Sequence, residues 1–324
     1  NVLNNTVLYN KQSGICVLNS YVNNISGNNA SFNTINGINL NNSSDNNLIG
    51  NIANNNTIGI FVTASSNGNN LTDNVVAYNN LSGIGITNSD RNNLTNVSAF
   101  ENLGSGIRIL NAIGTNVSES HSTENYVGIE LINATDTKIV NTTATNNTYY
   151  GVNISESEHT LMRNVTMSGN EYNFKVDGST DDKFYHDIDT SNTVDNQIIY
   201  YITNNTSAVL DGNSNAGTVY CINCTNFTAQ DLNLTNNGYG LYLRHTSDSN
   251  ITNVTAKENE LNGITLFSSD NVNVSQSNTS YNGGNGVWLF NGTNNTVTDT
   301  NASFNKGYGF LVNGSSNNNT FIGN

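Results

Sequence analysis

A glycine followed by alternating apolar residues returns along this chain at a nearly constant interval. It stands as Gly14-Ile15-Cys16-Val17, Gly37-Ile38-Asn39-Leu40, Gly59-Ile60-Phe61-Val62, Gly83-Ile84-Gly85-Ile86, Gly106-Ile107-Arg108-Ile109, Gly128-Ile129-Glu130-Leu131 and Gly151-Val152-Asn153-Ile154, in steps of 23, 22, 24, 23, 22 and 23 residues. It resumes as Gly240-Leu241, Gly263-Ile264, Gly286-Val287 and Gly309-Phe310, each 23 residues after the last. Between these blocks the phase survives through Asn173 to Val176, Ile198 to Ile202 and Gly217 to Ile222, which gives about fourteen repeats. Each repeat holds a second short alternation after a polar corner, as in Asn46-Asn47-Leu48-Ile49-Gly50-Asn51-Ile52-Ala53. Strands of two to four residues with one apolar face are too short to close a sheet of their own, and no helix fits a period of two. Stacking successive repeats buries those faces. The period therefore predicts an all-β, single-stranded parallel β-helix, one repeat per turn, with turns about 4.8 Å apart and a rod about 65 Å long.

The same alignment brings an asparagine to one place after the second alternation: Asn79, Asn102, Asn125, Asn147, Asn170, Asn237, Asn259, Asn282 and Asn305. Asparagine tolerates the left-handed region, and its amide can bond the equivalent amide one turn away, so the column predicts a hydrogen-bonded ladder inside a tight corner. Composition agrees. Asparagine fills 72 of 324 positions and proline none; a proline would delete a backbone N–H that the neighbouring turn uses.

Residues 1–177 read as regular turns, 178–216 as irregular turns with loops and 217–324 as regular turns again, one continuous β-helix over 1–324. Asn1 to Asn10 aligns without gaps on Asn70 to Asn79, and Phe321 to Asn324 matches Leu48 to Asn51, so both ends read as ordinary mid-array sequence. Solenoids normally carry polar caps. The expectation is either a piece of a longer chain or molecules stacked head to tail in a filament.

With 35 % hydrophobic residues evenly spread, general disorder is excluded. A formal charge of −14 leaves no basic stripe for nucleic acid or anionic lipid. No apolar run reaches the eighteen or so residues of a membrane span, so no direct membrane insertion is expected. Cys16, Cys221 and Cys224 are odd in number and too few for a disulfide framework. Cys221-Ile222-Asn223-Cys224 lacks the second pair a metal site needs, so one cysteine is expected in the core and one in a turn. Cys16 is expected to point outward, where it could cross-link two chains.

Across nearly its whole length the chain resembles the NosD-like right-handed parallel β-helix repeat proteins of the archaeal cell-surface type. The stretch from His186 to Tyr201, with Asn223-Cys224-Thr225-Asn226-Phe227-Thr228 after it, is similar to that group's recurring module. The resemblance implies a right-handed coil and an exported, surface-attached protein; it implies no particular reaction.

Thirty Asn-x-Ser/Thr sequons are present, and Asn93, Asn96, Asn116, Asn164, Asn250, Asn253, Asn273 and Asn301 fall beside strands where alternation points them outward, making them candidates for N-glycans. The outward column after each repeat glycine places Arg108 one turn from Glu130. That spacing fits a surface ion pair better than an acid catalyst, since glycosidic cleavage needs two positioned carboxylates. Tyr242, Phe267, Trp288 and Phe290 are expected on the outer face as an interface or glycan-stacking platform, with Phe267 stacked on Phe290. The corner residues Asp45, Asn67, Asp90, Asp136, Glu158, Asp248 and Asp270 offer oxygens for calcium, although local backbone bonds suit them better. His121, His159, His186 and His245 fall on different turns without ligand spacing, and no metal site or catalytic residue is expected.

These readings point to a non-enzymatic, extracellular β-helix that builds a cell-surface layer, sheath or filament, with itself and covalent N-glycans as partners. A polysaccharide lyase or hydrolase using Asp181, Asp182, Asp187 and Asp189 is the alternative, and an adhesin working through Trp288 is another.

Overall fold

The computed structural model describes all 324 residues. It is an all-β parallel solenoid of about fourteen turns, with one short 3-10 turn at Asp181–Phe184. It divides into two compact units, Asn1–Glu171 with Val176–Asp187 and Tyr172–Lys175 with Ile188–Asn324.

In the first unit the repeat glycines open strands Ile15–Leu18, Asn36–Asn41, Ile58–Thr63, Ile84–Thr87, Ser105–Leu110, Val127–Ile132 and Tyr150–Ser155. These pair in parallel, each with the next turn. Ile15, Ile38, Ile60, Ile84, Ile107, Ile129 and Val152 stand in one register column, and all are buried. The second alternation of each repeat forms another ladder, from Asn24–Ser26 through Asn116–Ser118. On the last turns it lengthens into Lys138–Thr145 and Leu161–Ser168, which pair over seven positions.

Four corners per turn carry the chain around, and they share one construction. On one turn Asn42 (φ 47°), Asp45 (φ 57°), Gly50 (φ 62°) and Asn55 (φ 56°) adopt the left-handed region. Each is followed by a buried polar residue: Ser43, Asn46, Asn51 and Asn56. The left-handed residue reverses the chain direction locally. The polar residue behind it binds the turns on either side.

The expected asparagine ladder is present, and it is one of four. From Asn10 through Asn33, Asn56, Asn79, Asn102, Asn125 and Asn147 to Asn170, each backbone N–H donates to the amide oxygen of the next turn's asparagine at 2.8–3.0 Å. Parallel ladders run through Asn5, Asn28, Asn51 and Asn74, through Asn23, Asn46, Asn69 and Asn92, and through the hydroxyls of Ser43, Ser66 and Ser89. Buried amides are costly unless bonded, and the ladder satisfies both ends of each one. Asn102, for example, donates from Nδ2 to Val76 O (3.1 Å) and Asn125 Oδ1 (2.8 Å), while its Oδ1 accepts from Asn79.

The repeat glycine sits beside this ladder. A Cβ on Gly83 would stand 2.7 Å from Gly106 O and 2.9 Å from Asn102 Nδ2. The glycine is there for close approach between turns, not for a positive φ.

At the far end of the first unit His186 replaces the amide. It is 7 % exposed; its Nδ1 accepts from Thr160 N at 3.1 Å and its Nε2 lies 2.9 Å from Lys183 O. This geometry requires a neutral ring with the proton on Nε2. Burial lowers the His186 pKa to about 4.

The second unit repeats the plan. Gln197–Thr203, Ala216–Ile222, Leu241–Arg244, Ile264–Phe267, Val287–Phe290 and Phe310–Asn313 form its main parallel ladder. Asn237, Asn259, Asn282 and Asn305 rebuild the asparagine column. One pair breaks the parallel rule: Thr193–Val194 folds back on Gln197 and Ile198. The two linking residues, Asp195 (φ 47°) and Asn196 (φ 63°), are both left-handed, as a tight two-residue hairpin needs.

Asn102→Ala strands Val76 O and Asn79 N inside the corner and should cost about 3–5 kcal/mol, read as a lowered urea midpoint. Gly83→Ala should also destabilise, whereas Lys138→Ala, at an exposed position outside the ladder, should cost less than about 1 kcal/mol. For His186 the folded pKa lies below the unfolded value, so its contribution is full above pH about 6.5 and is lost as the pH falls toward about 4. The loss is about 3 kcal/mol at most. His186→Asn, which restores an amide, should give a melting temperature that falls less steeply than wild type across that window.

Candidate functional site

The outer face of the main ladder in the first unit holds the column Cys16, Asn39, Phe61, Gly85, Arg108, Glu130 and Asn153. Arg108 and Glu130 pair as expected, Nε to Oε2 at 3.0 Å, and Ser105 Oγ donates to the same carboxylate oxygen at 2.8 Å. Beside them lies a groove of about 290 Å³ walled by Leu81, Tyr126 and Val127. Tyr126 stacks on Tyr149 with centroids 5.2 Å apart. On its other side Tyr126 borders a second groove of about 630 Å³ that holds Leu103, Glu101 and Glu124. Leu103 is 74 % and Tyr126 49 % exposed.

Tyr126 was not foreseen. The signal lay in the residue after each ladder asparagine: that position is Lys11, Thr34, Thr57, Asn80, Thr148, Glu171, Gly238, Glu260, Gly283 or Lys306 elsewhere, and apolar only at Leu103 and Tyr126. A second omission is the residue before the ladder asparagine. Tyr9, Phe32, Tyr78, Tyr281 and Phe304 occupy it with positive φ and exposed rings, and two pairs stack, Tyr9 on Phe32 at 5.3 Å and Tyr281 on Phe304 at 5.0 Å.

The acids of the irregular stretch are engaged one by one. Asp181 and Asp182 open the 3-10 turn. Asp187 pairs with Arg163 at 2.6 Å. In the second unit, Asp189 accepts from Ser191 N at 3.0 Å and from Asn192. The Lys183 ammonium, hydrogen-bonded to Glu158, holds that carboxyl below its ordinary range. The expected corner oxygens also serve the backbone. Asn67 Oδ1 accepts from Asp90 N, Asp90 Oδ1 from Ile113 N and Asp270 Oδ1 from Thr293 N. They belong to two adjacent columns, since Asp45, Asp136 and Asp248 are left-handed residues and Asn67, Asp90, Glu158 and Asp270 each precede one.

Two expectations for the second unit are corrected. Tyr242 is not on an open face: it is 3 % exposed. Tyr220 lies 5.7 Å from its ring and Tyr239 4.8 Å, and Arg244 donates to its hydroxyl at 3.2 Å. Phe174 closes the cluster against Tyr220 at 5.8 Å, so strand Ala216–Ile222 is buried on both faces. Phe267, Trp288 and Phe290 are half-buried. Phe267 stacks on Phe290 at 4.7 Å as expected, Arg244 sits 4.0 Å above Phe267, and Trp288 donates to Asn313 Oδ1 at 2.8 Å. The second correction is the cysteine pair. Cys221 and Cys224 are both buried and form a disulfide with Cα atoms 5.9 Å apart; the corner between them folds the chain back far enough for the two thiols to meet. Cys16 is exposed and free.

Among the sequons, Asn96, Asn164, Asn250, Asn253 and Asn301 are exposed and Asn93, Asn116 and Asn273 half-buried. Asn96 donates to Asp73, Asn253 to Asp231, Asn164 to Asn141 and Asn93 to Thr95. The amide nitrogens of Asn116, Asn250, Asn273 and Asn301 have no partner in the chain.

The family model described as right-handed β-helix region matches residues 52–196 and 187–324. That described as periplasmic copper-binding protein (NosD) matches residues 1–97, so the NosD match covers the first turns, whereas the expected resemblance ran across nearly the whole chain. A comparison with curated proteins found no match. Among solved structures the chain is similar to the periplasmic alginate epimerase AlgG, with 17 % identity over 58 % of this chain and 50 % of that one and a TM-score of 0.47. It thus spans half the length of that protein. It is also similar to the Azotobacter vinelandii mannuronan C-5 epimerase AlgE6 A-module, with 11 % identity over 93 % and 88 % of the two chains and a TM-score of 0.39. A third is the endo-xylogalacturonan hydrolase from Aspergillus tubingensis, with 12 % identity over 92 % and 87 % and a TM-score of 0.41. The parallel turns in register and the match over residues 52–324 agree: the chain belongs to the right-handed β-helix family.

Proposed function

We propose that this protein is a non-catalytic, exported structural solenoid of the archaeal cell-surface type, one that carries N-glycans and associates with copies of itself in a surface layer, sheath or filament. One observation carries the reading. The acids of the irregular stretch, Asp181, Asp182, Asp187 and Asp189, are tied singly to a cation, a backbone N–H or a turn, and buried asparagines join the turns to each other. Acid–base cleavage of a glycosidic bond needs two carboxyl groups facing one bond.

Export is supported by the Cys221–Cys224 disulfide, because such bonds persist in oxidising compartments. No helix is long and apolar enough to cross a membrane. Asn116, Asn250, Asn273 and Asn301, whose amide nitrogens are unengaged, are the best-placed glycan acceptors. The exposed stacked pairs Tyr9–Phe32 and Tyr281–Phe304 offer rigid apolar surface for contact with another molecule.

The copper named in the NosD description does not fit the residues that match it. Residues 1–97 contain no histidine and no methionine, and Cys16, their one soft ligand, has Asn39 as its side-chain neighbour.

Electron microscopy of the purified protein should show fibres or a lattice, and incubation with pectin, alginate or neutral glucans should release no product. Steady turnover abolished by Asp187→Asn would overturn the structural reading. Thiol titration should find one reactive group per chain in the native state, one after unfolding without reductant and three after reduction. Three before reduction would remove the support for export.

A further inference from the structure

The Tyr126 ridge in the first unit combines features that the solenoid does not need for its own stability. Its ring is half exposed although it follows a ladder asparagine, where every other turn except that of Leu103 carries a polar residue or glycine. Stacking on Tyr149 fixes one face of the ring and so holds Tyr126 in place without covering it. Leu81 and Val127 continue the apolar wall on one side.

The floor of the smaller groove is polar and only partly used. Arg108 Nε lies 3.0 Å from Glu130 Oε2 as an ion pair without hydrogen-bond alignment, and its two terminal nitrogens meet no acceptor in the chain. Glu130 takes Arg108 and Ser105 on Oε2 alone, which leaves Oε1 open. A planar set of N–H donors therefore lies beside a carboxylate acceptor, both at the foot of an aromatic ring. Vicinal hydroxyls meet such a pair well, because each hydroxyl both accepts and donates. The C–H face of a sugar ring suits the tyrosine above it.

Charge narrows the choice. The smaller groove holds one cation and one anion, which cancel. The larger groove across the ridge holds Glu101 and Glu124 and no basic side chain. A polyanion crossing Tyr126 would meet two carboxylates with nothing to neutralise it, on a chain whose formal charge is −14.

We propose that the two grooves and the Tyr126 ridge between them form a binding site for a neutral oligosaccharide, with Arg108 and Glu130 holding vicinal hydroxyls and Tyr126 stacking on a sugar ring. No bond is made or broken there.

The test is titration calorimetry of the full chain with neutral gluco- and manno-oligosaccharides, and in parallel with oligogalacturonates of the same length. At least one neutral series should bind, and the galacturonates should bind at least tenfold more weakly. Tyr126→Ala and Arg108→Gln should each weaken neutral binding about tenfold, equivalent to about 1.4 kcal/mol. Tyr126→Ala should remain folded, its melting temperature lowered by no more than a few degrees for the lost stacking on Tyr149. Trp288→Ala, in the second unit, should leave binding unchanged. Failure of every neutral sugar to bind, tighter binding of the galacturonates, or full binding by a folded Tyr126→Ala variant would each overturn the proposal.

Discussion

Each turn of this protein is held by the next through main-chain hydrogen bonds, and everything else in the fold depends on that pairing keeping its register. A strand of three or four residues cannot hold a register by itself. Here the corners do so. A buried amide that must accept from one neighbour and donate to another fixes its turn in place along the stack, because a slip by one residue would strand several polar groups at once. The apolar columns then fall into line, and burial of Ile38, Ile60, Ile84 and their successors supplies most of the driving force. Energy comes from the greasy columns and alignment from the amides.

The period made the fold legible. Glycine and isoleucine recur at fixed spacing because both are forced, the first by the close passage of Gly106 O over Gly83 and the second by the core. The corners were read less fully. One column is asparagine in every regular turn and stands out in the sequence. Of the other three, two pass from Asn to Ser, Thr, Val or His along the stack, as in Asn92, Thr115, Thr137, Thr160 and His186, and the third passes from Ser89 to Ala112, so they lose their identity to the eye. The chemistry changes with the letters: the buried hydroxyls of Thr115, Thr137 and Thr160 meet no partner, and His186 restores the bond by accepting from Thr160 N.

The candidate site was harder to read for a related reason. Alternation says which side chains leave the core, but it does not say what lies above them. Tyr242 alternates outward and is still buried, because Tyr239 and Tyr220 pack against it. Cys221 and Cys224, three residues apart, would point to opposite faces of a straight strand, and the corner between them brings the two sulfurs together instead. Arg108 and Glu130 were readable because both lie within the regular ladder, where spacing alone gives the neighbour. Tyr126 lies just past a corner, where no period-two rule applies.

The amide columns have one more consequence. They carry no net charge, so dissolved ions do not screen them and no proton equilibrium between mild acid and mild alkali switches them off. A scaffold joined by ion pairs loosens in brine; one joined by carboxamides keeps its grip as salinity changes. In the first unit the exception is a single imidazole at the final corner, and acid would loosen the structure there first.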